Sequence, residues 1–191
     1  MRHDTIPLRL FERAHRCPDD TAYYVKRDEV WQGTSWSTYA GYVARAAKAL
    51  IALGIEAGDH LALIAPNAPE WAIMQLGALS IGARAVGLYL AASPEEQVRL
   101  LDQVGARLTL IDGVTRLAAL RQARPEHPAL ARAVLVDDAP EAATAGTPAE
   151  ARKLFPRPTA FSIQSSDSRL QDYTGLLGGF TTFSAFSFET V

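Results

Sequence analysis

Between Thr21 and Asp137 the apolar positions change period repeatedly. TAYYVK (21–26) reads as a strand, followed by a polar turn at Asp28 and Glu29 before Trp31. From Ser37 to Leu53, Tyr42, Ala46, Leu50 and Leu53 recur at helical spacing, and Gly54 stands where a left-handed residue ends a helix. HLALIA (60–65) is a short apolar run that suits a buried strand. Asn67, with Glu70 three residues on, predicts a capping box for a helix over about 68–80 carrying Trp71, Met74 and Leu79. RAVGLY (84–89) reads as the next strand. Ser93-Pro94-Glu95-Glu96 then starts a helix that Gly105 stops. RLTLID (107–112), residues 114–123 and RAVLVD (132–137) follow as strand, helix and strand. The strands are apolar throughout rather than alternating, as expected when helices cover both faces. The fold class is therefore α/β, a parallel sheet flanked by helices with right-handed crossovers.

After Asp138 the texture changes. Four Pro and many Ala, Thr and Ser occur without a sustained period, so 138–172 reads as linker or poorly ordered chain. Arg152, Lys153 and Arg157 form a solvated patch there. Residues 173–191 differ again. GLLGGFTTFSAFSFETV has no Lys or Arg, and Phe180, Phe183 and Phe186 are spaced by three beside Thr181, Ser184 and Ser187. On a helix this sets an aromatic stripe beside a hydroxyl stripe, after a Gly178-Gly179 break. The same composition suits a plain apolar or aggregation-prone segment. The expected organisation is an incomplete α/β domain (1–137), a linker (138–172) and a short apolar helical tail (173–191).

Composition narrows the functions. A net charge of −2 favours neither nucleic acid nor an anionic membrane. Cys17 is the single cysteine and cannot form an internal disulfide. The N-terminus is too charged for a secretory signal, and no stretch reaches about 18 consecutive apolar residues, so a cytoplasmic location is expected. His3, His15, His60 and His127 lie in separate segments without metal-ligand spacing, and His60 reads as a strand-end residue. The carboxylates of SPEE favour a helix N-terminus rather than acid–base work.

Several pieces, in order, carry a family resemblance: TIPLRLFERAHRCPDDTAYY, then S-W-x-x-Y, L-G-I-x-x-G-D, A-P-N-x-P-E-W, G-A-R-A-V-G-L-Y and SPEEQVRLLDQVGARLTLIDG. The run from Ile6 to about Gly113 resembles the N-terminal part of adenylate-forming enzymes, particularly long-chain acyl-CoA synthetases. That family activates a carboxylic acid with ATP and magnesium and passes the acyl group to coenzyme A. The resemblance implies part of its large N-terminal domain. The family's Thr/Ser/Gly-rich phosphate loop with its Lys, its adenine-site motif, its ribose-binding Asp and its catalytic Lys find no match, and no Lys follows Lys153. A triphosphate needs cationic and backbone N–H partners. No catalytic or cofactor-binding residue is therefore carried over, no cofactor is expected for this chain alone, and the remainder of such a ligase is the implied partner.

The tail LLGGFTTFSAFSFET is similar to the signature of CrcB-type fluoride channels. By position, that resemblance implies a sodium ion held at Gly178 and Thr181 and a fluoride path along Thr182, Phe183, Ser184 and Phe186. It implies a membrane only for this alternative, and one broken helix can neither enclose a pore nor satisfy its backbone in lipid. Three readings result: an acyl-CoA-synthetase-like fragment inactive alone, a channel component, and a non-catalytic binding or scaffold module using an exposed sheet edge. A composite of the two families accounts for the change in texture.

Overall fold

A computed structural model of the protein describes residues 4–136 and the strand 161–165. The chain begins with α1 (Ile6–Arg16), then a hairpin of β1 (Thr21–Arg27) and β2 (Val30–Ser35), then α2 (Trp36–Ala52). Next come β3 (His60–Ile64), α3 (Pro69–Ser80), β4 (Arg84–Gly87), α4 (Pro94–Val104) and β5 (Ala106–Ile111). It continues with α5 (Val114–Ala123), the single turn α6 (Pro128–Ala131), β6 (Arg132–Val136) and β7 (Phe161–Ser165). The main sheet has the order β4-β3-β5-β6-β7; β4, β3, β5 and β6 are parallel and β7 is antiparallel to β6.

Strands β3, β5 and β6 are buried on both faces and their side chains divide between two cores, while the edge strand β4 is partly exposed. Leu61, Leu63, Leu108, Leu110 and Val134 turn towards α2 and α3, joining Leu50, Ile73 and Met74. Ala62, Ile64, Ile111, Ala133 and Leu135 turn the other way, joining Leu101 of α4, Leu117 and Leu120 of α5 and Leu130 of α6. This explains the unbroken apolar runs: period-two alternation sends successive residues to opposite faces, and both faces are dry. Each fully buried Leu or Ile contributes about 1.5–3 kcal/mol.

The ends of the elements follow local chemistry. Ser35 caps α2, its Oγ accepting from Thr38 N at 3.3 Å, and Ser93 caps α4, its Oγ accepting from Glu96 N at 3.2 Å. Gly54, at φ 76°, closes α2, with Gly54 N donating to Ile51 O and Ile55 N to Leu50 O. This pair of bonds is a Schellman motif, and it turns Ile55 into the core beside Leu50. Gly105, at φ 61°, ends α4 as expected.

Asn67 does not cap α3. Ala68 holds the cap position without a side-chain hydrogen bond, and Glu70 is buried. The cause is Pro69: its ring disfavours helical backbone at the residue before it, so the helix starts one position later than the capping box requires. Four further elements lie outside the apolar pattern. In α1 the four-Arg/His surface hides a stripe of Pro7, Leu10, Phe11 and Ala14, which meets Val43 of α2 and Leu76 of α3. The second hairpin strand, β2, is largely exposed and so lacks an apolar signature. The α6 turn is only four residues long. Finally, β7 falls within the stretch read as linker and pairs Phe161 with Val136 and Ser165 with Arg132.

The approach of α2 to α3 is tightest at Gly77. A Cβ there would stand 2.9 Å from Ala46 Cβ and 3.1 Å from Ala47 N. One neighbour is backbone and cannot swing aside. Gly77→Ala is expected to lower stability by about 1–3 kcal/mol through overpacking, despite alanine's better helix propensity. Urea unfolding of the two proteins checks this; equal or greater stability in the variant would refute the close-packing account.

Candidate functional site

In open α/β sheets, ligands gather beyond the carboxyl ends of the strands, where successive crossovers diverge. Here the chain steps from β3 outward to β4, then returns to place β5 on the other side of β3. The divergence point therefore lies between the carboxyl ends of β3 and β5.

A connected polar network is built at this edge. Asp112 directly follows β5, and its N–H donates to Ile64 O at 3.0 Å. One helical turn later, Arg116 Nε donates to Asp112 Oδ1 at 2.7 Å, a half-buried ion pair. Arg116 Nη1 also donates to Leu90 O at 3.1 Å and to Gln97 Oε1 at 3.4 Å. Gln97 is fully buried, and its Nε2 donates to Tyr89 O at 2.6 Å. The loop after β4, the first turns of α4 and α5 and the end of β5 are thereby joined through two side chains. Tyr89 itself stands out from the edge, 83% exposed. These groups position loops; none is a nucleophile with a base beside it.

At the opposite edge, Asp59 accepts from Glu56 N at 2.8 Å and from Arg107 Nη1 at 3.0 Å. The Glu56 N–H, then Arg107, hold the Asp59 carboxyl below the usual range against some desolvation. His60 opens β3 as a strand-end residue, 3.3 Å from Arg84 Nη1. On the α4–α6 side, His127 is buried beside Asp102 and Arg124. Sequence spacing could not reveal this trio, because it joins three different elements. The Asp112–Arg116 spacing, in contrast, is a readable i,i+4 pair.

The family resemblance implies nucleotide chemistry near these residues. Arg116 is committed to Asp112, Leu90 O and Gln97, and Lys26 is paired with Glu29. Among the described residues no group of three His, Cys, Asp or Glu could hold a metal ion. Gly178, Thr181, Thr182, Phe183, Ser184 and Phe186 all lie outside the described residues. No described helix is long and apolar enough to cross a membrane.

Replacing Gln97 by Leu removes the donor to Tyr89 O and an acceptor of Arg116. The variant is expected to lose about 1–3 kcal/mol of stability. Faster proteolysis or amide exchange across residues 88–93 is also expected, measured beside urea unfolding. Unchanged behaviour of that loop would show that the network does not hold the edge.

Comparison with known proteins bears on the same residues. The family model for AMP-binding enzymes matches residues 10–175, a span that includes the linker stretch and stops before Gly178. The long-chain-fatty-acid–CoA ligase FadD15 of Mycobacterium bovis is 33% identical over 94 residues, 49% of this chain and 16% of that protein. The Homo sapiens long-chain-fatty-acid–CoA ligase ACSBG1 is 26% identical over 136 residues, 71% of this chain and 19% of that protein. Among solved structures, a Mycobacterium tuberculosis fatty acyl CoA synthetase superposes with TM-score 0.58 at 27% identity, covering 65% of this chain and 25% of that one. The N-terminal domain of FACL13 from Mycobacterium tuberculosis gives TM-score 0.58 at 26% identity, covering 65% of this chain and 31% of that one. The chain thus spans 16% and 19% of the length of these two curated relatives. With the family model matching most of the sequence, and the parallel α/β layer shared with those structures, the chain belongs to the AMP-binding enzyme family.

Proposed function

We propose that this α/β layer is the N-terminal scaffold of an ATP-dependent long-chain acid–CoA ligase, working in the cytoplasm. The observation that carries the reading is the family match over residues 10–175, with relatives that are themselves long-chain-fatty-acid–CoA ligases. The ligase reaction joins a fatty acid to coenzyme A with cleavage of ATP. In this reading the described residues supply rigidity rather than reacting groups. The doubly buried sheet fixes the carboxyl edge, and Gln97 and Arg116 fix the loops that border it. Cationic and N–H groups for the nucleotide come from other polypeptide, so the described layer by itself forms no acyl adenylate. The channel reading has only the tail sequence behind it, beyond the family match.

Fatty-acid-dependent exchange of pyrophosphate into ATP tests the proposal. The purified chain alone is expected to give no exchange above background. Clear acid-dependent exchange would overturn the scaffold reading. Liposomes carrying the chain are likewise expected to show no sodium-dependent fluoride efflux, and efflux would establish the channel component instead.

A further inference from the structure

We propose that His127 is a proton-operated latch on α6: the neutral imidazole holds this turn closed, and protonation releases it. His127 precedes Pro128 and acts as the side-chain cap of the turn. Its Nδ1 accepts from Ala129 N at 3.1 Å. An imidazole nitrogen that accepts carries no proton, so in the neutral ring Nε2 carries it. Nε2 lies 3.2 Å from Asp102 Oδ1, yet off the hydrogen-bond line, and has no hydrogen-bond partner in the described structure. The residue is only 3% exposed.

A proton added to the ring must go to Nδ1. There it would face Ala129 N–H, donor against donor, and the cap would be lost. The new cation would also stand at the positive end of the turn's own peptides. His127 O accepts from Leu130 N at 2.9 Å and Ala131 N at 3.2 Å, so the same residue holds the turn by its backbone. Ala129 and Leu130 are fully buried against Leu117 and Leu120, and both would be uncovered when the turn opens.

The surrounding charges oppose one another. Asp102 from α4 favours the imidazolium, but it is already paired with Arg124 at the end of α5. Arg121 of α5 donates to Leu130 O at 2.9 Å, adding a second positive group near the turn. Glu126, next in sequence, is exposed. From β5, Arg107 is engaged by Asp59, and β6 presents Ala133 and Leu135. Burial is the largest influence and holds the His127 imidazole below the ordinary histidine range, although Asp102 pulls it up. The sign follows. The closed turn is fully favoured above the unperturbed histidine range, where both open and closed forms are neutral. As pH falls below that range, the open form takes up a proton that the closed form resists, and opening becomes more favourable.

Amide exchange by NMR between about pH 7.5 and about pH 5.5, corrected for intrinsic rates, tests the latch. Protection of the Ala129, Leu130 and Ala131 amides is expected to fall severalfold, while Leu61 and Leu63 in β3 keep theirs. His127→Asn retains a capping acceptor that cannot titrate, and is expected to show no such pH dependence. Parallel profiles in the two proteins would overturn the proposal. So would imidazole nitrogen shifts placing the proton on Nδ1 of the neutral ring, a measurement on the unaltered chain that does not require the variant to fold.

Discussion

A parallel sheet that must be dry on both faces governs this molecule. Parallel strands need crossover segments, and here those segments are the helices that cover the faces. Leu63 and Ile64 are neighbours in sequence but belong to different cores. Neither core could form without the other, because each strand would otherwise turn half its side chains to water. The close approach of α2 and α3, possible only with a glycine at 77, is one result of drawing helices onto the sheet tightly enough. The capping at Ser35 and Ser93 and the Schellman closure at Gly54 are others, since short connections demand that helices start and stop in register with the strands.

The same constraint separates stability from chemistry along the strands. Their middles hold apolar side chains, so polar groups collect where the strands end. The Gln97–Arg116–Asp112 network occupies that position and joins the loops there. Three of the five N–H groups of the Arg116 guanidinium are spent on these acceptors.

The fold was legible where periodicity and punctuation agreed. The helix over 114–123 and the strands at 60 and 107 follow from apolar runs bounded by Gly, Pro and Ser. Legibility failed where tertiary contact overrides local pattern. The surface arginines of α1 masked its narrow apolar stripe, and Pro69 displaced the cap expected at Asn67. The exposed β2 follows its hairpin partner rather than any burial pattern. At the site, Asp112 and Arg116 stand four residues apart across the start of α5 and could be paired on paper. Gln97 and the Asp102–His127–Arg124 group could not, since their contacts join elements distant in sequence. The residues singled out in the tail, Gly178 to Phe186, lie outside the described structure.

The reversed direction of β7 carries a topological consequence. A fifth parallel strand would have required the polypeptide to travel the full height of the sheet before re-entering. Instead, Phe161 lies opposite Val136 at the rim that bears Asp112 and Tyr89. Val136 and Phe161 are adjacent partners in a ladder, and joining neighbours already fixed in place grows costlier only logarithmically with the number of residues between them. The sheet therefore tolerates a change in the length of sequence between these two strands at little cost to its own packing.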